Sequence, residues 1–78
     1  MILNVVTTEE TVFSGEADIV VAPGSEGMLG ILPRHTSLLT AIEAGTITVR
    51  NGGEESTIDV NGGFLEVMDD VVTVLADS

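Results

Sequence analysis

The chain has no cysteine, no lysine, no tryptophan and no tyrosine, and only two arginines, two prolines and two phenylalanines among its 78 residues. Each absence closes a route. Without cysteine there is neither a disulfide framework nor a thiolate metal site. With two arginines against thirteen acids, the formal net charge is −11, which excludes a nucleic-acid surface, because phosphate binding needs clustered Lys and Arg. The same imbalance argues against docking directly on an anionic membrane. The lack of Trp and Tyr counts against sugar binding, which commonly uses them as stacking platforms. No apolar run approaches the roughly 20 residues of a membrane helix, and the apolar start at Met1–Val6 lacks the basic region and cleavage signature of a signal peptide. The reading is a soluble cytosolic domain unless a partner holds it at a membrane.

What is present is apolar and β-branched. Hydrophobic residues make up 44% of the chain, too many for a charged disordered coil. A chain this short buries only roughly 60% of its unfolded surface, so its stability is modest and burial against a partner is a natural supplement. The acidic surface keeps such a domain soluble and steers it towards basic partners.

Taken in order, Ile2–Thr7 reads as a strand and Thr7–Glu10 as a polar break. Thr11–Phe13 is a short strand ended by the turn dipeptide Ser14-Gly15, and the run up to Ala22 is a strand stopped by Pro23-Gly24. A turn at Gly24–Gly27 leads to a short extended piece, Met28–Leu32, whose Gly30 suggests a bulge or a close backbone approach. Leu38–Ile42 reads as another strand. In the second half Gly45–Arg50 alternates strictly, with Ile47 and Val49 inward. Asn51-Gly52-Gly53 is the strongest hairpin signal in the chain, and Asn61-Gly62-Gly63 reads as a second hairpin between Ser56–Val60 and Phe64–Met68. Asp69-Asp70 turns once more before Val71–Leu75. Many short strands with regular turn signals and no amphipathic helix predict an all-β sandwich.

Chemistry is hard to find in this frame. His35 is the one imidazole base, with Ser37 two residues away, but so small a domain leaves no room for a water-excluding cleft, and His35 reads as a loop or interface residue. The acids scatter over strand exteriors and turns. Asp59-Val60-Asn61-Gly62-Gly63 imitates the start of a calcium loop, but Gly63 falls at the third ligand position and Asp70, not glutamate, stands twelfth. Gly24-x-x-Gly27-x-x-Gly30 lacks the following helix that a phosphate cradle needs. The expectation is therefore no catalytic residue, no metal and no cofactor. The irregular stretch Gly24–Leu39 remains, with three glycines, the lone histidine and one of the two arginines. Met28, Leu29, Leu32 and Leu38 can form an apolar patch for a partner, or Leu29, Ile31, Leu38 and Leu39 can complete the core. Met28, flanked by glycine and near an acid, is the better interface candidate. An acidic sandwich that binds calcium or a small ligand is the alternative reading.

Phe13-Ser14-Gly15, Gly24-Ser25-Glu26-Gly27, Leu29-Gly30-Ile31, Pro33, His35, Leu38–Ile42, Gly45, Gly62–Val67 and Val72–Asp77 together resemble the epsilon subunit of bacterial F-type ATP synthase, in one register along the chain. The resemblance implies that residues 1–78 form the N-terminal domain of that subunit, a flattened antiparallel β-sandwich of about ten short strands. It implies a non-catalytic rotor subunit that packs on the gamma subunit of the central stalk and sits on the membrane c-ring, helping to couple proton flow to ATP synthesis or hydrolysis. By position in the motifs, Thr7, His35 and Thr40 face gamma, while Glu26 and Met28 meet the polar loops of the c-ring. Those loops carry arginine in the family, so an acidic domain suits them. Localisation follows as the cytoplasmic face of the cell membrane, peripheral and through the complex. Two positions depart from the pattern: Met28 stands where many members have an acidic or polar residue, and Ser37 where many have proline. The family's two-helix C-terminal domain, which inhibits hydrolysis and in some members binds ATP, does not fall within these residues, so neither property is expected of them.

Overall fold

The alternation that predicts strands is realised as seven of them in a computed structural model that describes residues 1–77. They are β1 (Ile2–Val6), β2 (Thr11–Glu16), β3 (Ile19–Gly24), β4 (Gly27–Ile31), β5 (Leu38–Asn51), β6 (Glu54–Met68) and β7 (Val71–Ala76). They form one sheet in the order β2-β1-β7-β6-β5-β3-β4. Pairing is antiparallel except between β1 and β7, which run parallel with Val5 opposite Val74. That single parallel contact joins the two ends of the chain side by side.

Seven strands, not about ten, is a correction with a physical cause. β5 and β6 are 14 and 15 residues long, and each runs through segments that read in sequence as separate strands. Leu38–Ile42 and Gly45–Arg50 are both parts of β5. Asn61-Gly62-Gly63 is likewise no hairpin, because it lies inside β6, where Asn61 pairs with Ala44 and Gly63 with Ile42. Ser14-Gly15 does not end its strand but lies within β2, with Ser14 and Gly15 paired to Asn4 and Leu3. Pro23-Gly24 does not stop β3 either. Pro23 sits where the β3–β5 register shifts, between Val21 and Gly24, so its missing N–H falls at a break in the ladder. Gly30 makes no close approach: a Cβ built there would meet open space.

The long hairpin also explains how one sheet becomes a sandwich. Side chains in a strand alternate between faces with period two. In β5 the buried residues are Ile42, then Ile47 and Val49; in β6 they are Val60, then Leu65 and Val67. The inward phase is even-numbered on one side of residue 43 in β5 and odd-numbered beyond it. It inverts in β6 at the same level, between Val60 and Leu65, while the β5–β6 register holds from Leu38↔Val67 to Asn51↔Glu54. Both strands therefore turn their faces over together. The corner is carried by Gly62 and Gly63, with φ of 113° and 139°, a region that side-chain-bearing residues avoid. A Cβ on Gly63 would run into the Leu75 carbonyl oxygen.

The sheet doubles over at that corner and buries one face. Leu3, Val5, Val72, Val74, Leu65 and Val67 come from the side of β1, β7 and β6, and meet Val20, Ala22, Ile31, Ile47 and Val49 from the side of β3, β4 and β5. No polar or charged side chain is buried among the described residues, so the core rests on apolar burial at about 25 cal/mol per Å² with no buried polar group to satisfy.

Candidate docking surface

The β3–β4 hairpin and the segment after it place the Gly24–Leu39 stretch at one edge of the sandwich. Gly24 pairs with Gly27 across the tight turn. A side chain at Gly24 would fall 2.8 Å from Leu29 Cγ and 2.7 Å from the Gly27 oxygen, so only glycine lets the turn close. Ser25 and Glu26 are thereby held at the tip, and the Ser25 N–H donates to the Ala41 carbonyl at 3.3 Å. A shallow groove of about 200 Å³ runs along this edge, lined in part by Glu26, Met28, Leu29, Leu38 and Thr40. Met28 is 65% exposed. β4 is the last strand on its side of the sheet, and Gly27–Ile31 carries neither a charge nor a proline to blunt that edge.

Residues 32–37 connect β4 to β5 and are exposed throughout. Their anchor comes from the opposite hairpin. The Arg34 N–H donates to Asp70 Oδ1 at 2.9 Å, and Arg34 takes a left-handed φ of 65°. His35 Nδ1 lies 2.7 Å from the Thr36 carbonyl oxygen, so Nδ1 carries the proton and donates. No hydrogen bond joins His35 to Ser37 among the described residues. The imidazole is thus turned on its own backbone and stands exposed.

Thr7 lies at the far end of β1. Its Oγ1 accepts the N–H groups of Glu9 and Glu10, both at 3.2 Å, and so caps the turn into β2. β1 starts beside Asp70, whose carbonyl accepts from Ile2 N–H at 3.1 Å, while Val6 pairs with Leu75 at the other end. Thr7 and His35 therefore sit at opposite ends of β1. Thr40 is half-buried and shares the groove with Glu26 and Met28, so these three are brought together while His35 and Thr7 are not.

Of the apolar residues, Ile31 is fully buried and Leu29 and Leu38 are half-buried, but Leu39 is 70% exposed. The expectation that Leu39 completes the core fails on parity. Leu38 pairs with inward Val67, so Leu39 pairs with outward Glu66. Leu39 there joins Phe64 and Leu75, which are 56% and 57% exposed and stand opposite each other on β6 and β7. Leu39, Phe64, Glu66, Thr73 and Leu75 line a small concavity of about 90 Å³ on the outer face. The sequence does carry the signal for this patch: Phe64-Leu65 and Val74-Leu75 are adjacent apolar pairs, and in a strand both members cannot face inward.

Among the described residues no group of three or more His, Asp or Glu stands together as a metal site. Asp59, the first residue of the calcium-like run, accepts a hydrogen bond from Thr46 Oγ1 at 2.9 Å and lies in mid-strand. The described residues include no helix long and apolar enough to cross a membrane.

Comparison with known proteins gives the family. The family model described as ATP synthase, Delta/Epsilon chain, beta-sandwich domain matches residues 1–78. The ATP synthase epsilon chain of Dehalococcoides mccartyi is 55% identical over 76 residues, covering 97% of this chain and 54% of the relative. That of Desulforamulus reducens is 51% identical, covering 97% and 58%. The chain thus spans about half the length of the curated relatives it matches. Among solved structures, a chain of the Euglena gracilis mitochondrial ATP synthase, determined by cryo-EM as OSCP/F1/c-ring in rotational state 1, superposes with a TM-score of 0.89 at 25% identity, over 97% of this chain and 49% of that one. A chain from the central stalk/c-ring structure of Tetrahymena thermophila mitochondrial ATP synthase shares the fold, with a TM-score of 0.82 at 14% identity, over 99% and 63%. By sequence along its whole length and by fold, the chain belongs to the family of ATP synthase delta/epsilon chain β-sandwich domains.

Proposed function

We propose that residues 1–78 form the N-terminal domain of an ATP synthase epsilon subunit, a non-catalytic part of the rotor that docks on the gamma subunit and the c-ring and helps couple proton flow to ATP synthesis or hydrolysis. The observation that carries the reading is the 55% identity to an ATP synthase epsilon chain across 97% of this chain. The 0.89 superposition on a chain of an assembly containing F1 and a c-ring supports it. The domain would then lie at the cytoplasmic face of the membrane, held there by the complex.

In this reading Glu26 and Met28 meet the c-ring, and Thr7, His35 and Thr40 meet gamma. Exposure of Glu26, Met28 and His35 supports their assignment. Thr40 shares its groove with the two c-ring residues, which makes that groove the seam where the two partners would adjoin. Thr7 and His35, at opposite ends of β1, would mark the extent of the gamma contact. With a net charge of −11, attraction to basic loops accelerates encounter more than it tightens the complex.

Co-expression with the cognate gamma subunit tests the reading. A stoichiometric complex that survives gel filtration is expected, and a folded domain that elutes alone overturns it. Glu26→Lys should slow association with isolated c-rings and flatten its salt dependence without changing the yield of the gamma complex. Equal rates for both proteins would remove Glu26 from the c-ring contact.

A further inference from the structure

Two Asn-Gly pairs stand in this chain, Asn51-Gly52 and Asn61-Gly62, and the docking function uses neither. Asn-Gly is the dipeptide in which the following backbone nitrogen most easily reaches the asparagine side chain, because glycine puts no Cβ in the way. The nitrogen loses its proton to solvent and bonds to Asn Cγ. The bond from Cγ to the side-chain nitrogen then breaks, and that nitrogen takes a proton back from solvent and leaves as ammonia. One water then opens the resulting imide at either carbonyl, giving aspartate or isoaspartate.

The structure treats the two pairs differently. Asn61 is inside β6, paired with Ala44, and Gly62 is buried with its carbonyl accepting from Asp77 N–H at 2.9 Å. Swinging that nitrogen onto Cγ therefore disturbs the Asn61–Ala44 pair on one side of β6 and the hydrogen bond from Asp77 on the other. Asn51 is the last paired residue of β5, exposed, with the Gly52-Gly53 loop directly after it. Beyond the Asn51–Glu54 pair, one further restraint acts there. The Gly52 N–H, whose nitrogen is the attacking atom, donates to Asp18 Oδ2 at 2.8 Å, and the Asp18 N–H donates to the Arg50 carbonyl at 2.7 Å. A carboxylate on that N–H both points it away from the Asn51 side chain and disfavours loss of its proton.

We propose that Asn51 is a site of spontaneous deamidation and that Asp18 holds its rate down by occupying the Gly52 N–H. The product matters to the hairpin. Aspartate at 51 sets a second carboxylate beside Asp18, and isoaspartate inserts an extra main-chain carbon next to a two-residue loop. The inference does not depend on which partner the domain has.

Peptide mapping by mass spectrometry during incubation at mildly alkaline pH tests it, with Asn61 in the same chain as the internal clock. In the folded protein Asn51 should convert roughly tenfold faster than Asn61, since hairpin ends open far more readily than strand interiors; in urea the two rates should converge. Asp18→Ala should raise the rate at Asn51 several-fold and leave Asn61 unchanged. Asp18→Asn, which keeps a neutral acceptor and the side-chain size, should fall between. Equal rates at the two sites in the folded protein overturn the assignment of Asn51. A rate at Asn51 that neither variant moves, or that moves only in step with Asn61, overturns the role of Asp18.

Discussion

The chain uses the tripeptide Asn-Gly-Gly twice, ten residues apart, and the two copies do unlike work. At 51–53 the copy closes a hairpin. Asn51 pairs with Glu54, Gly52 takes φ of 65°, and Gly53 follows with ordinary φ, the order of a primed two-residue turn. At 61–63 the copy stays in its strand and turns the sheet over, with both glycines at positive φ and Gly63 against the backbone of β7. What separates them is the company each keeps. The first faces solvent, with open space where its Cβ atoms would stand. The second lies between β5 and β7, with Ile42 on one side and Ala76 on the other.

Substitution at Gly63 should break this comparison most violently. Gly63→Ala combines a disfavoured φ with a clash against the Leu75 carbonyl, which is backbone and cannot step aside. A cost of about 3–5 kcal/mol is expected, comparable with the whole stability of so small a domain. Urea unfolding followed by circular dichroism reads it directly. A variant with a wild-type midpoint would mean that the corner of the sandwich does not depend on Gly63.

Gly52→Ala should be milder. Its Cβ meets nothing within 4 Å, so only the left-handed backbone opposes it, at about 1–2 kcal/mol. A cost as large as that of Gly63→Ala would mean that the tip is packed against something the open geometry does not show.

This contrast marks where the fold was legible in the sequence. The alternation of Ile47 with Val49 and of Leu65 with Val67 states which face is buried, because a period of two leaves no freedom once one residue is inward. The resemblance carried the family. Strand count was hidden at Asn61, because the same three residues serve a turn or a bend, and only the neighbouring strands decide which. Leu38 and Leu39 are adjacent in one strand and cannot both face the core, and the local sequence does not say which of the two does; the pairing of Leu38 with buried Val67 decides it. The positions of Thr7, His35 and Thr40 along the chain say nothing of distance. That Thr40 adjoins Met28 while Thr7 lies beyond the far end of β1 follows from β1 running parallel to β7 and β5 antiparallel to β3, which local pattern does not encode.

A third turn sharpens the comparison by meeting the same backbone demand without glycine. Asp69 and Asp70 hold φ of 51° and 63°, tolerable for Asp but not free. Asp70 has a second task, since its carboxylate takes the Arg34 N–H. Asp69→Gly should therefore stabilise by about 0.5 kcal/mol through relief of the left-handed backbone. Asp70→Gly should gain nothing, because releasing residues 32–37 offsets that relief. Hydrogen exchange at the Arg34 amide separates the two: faster in Asp70→Gly, unchanged in Asp69→Gly.

The smallest expected effect is the most discriminating. Gly53 and Gly63 are the third residues of identical tripeptides, yet Gly53 has ordinary φ and open space around its missing Cβ. Gly53→Ala should leave the unfolding free energy from urea titration within about 0.5 kcal/mol of wild type, on the stabilising side, because alanine narrows the unfolded ensemble at a position whose native backbone it can adopt. A marked loss would show that the tip needs both glycines and that the two Asn-Gly-Gly copies are alike after all. A near-zero effect beside the collapse expected of Gly63→Ala would establish that neighbouring strands, and not the tripeptide, decide which glycine the fold requires.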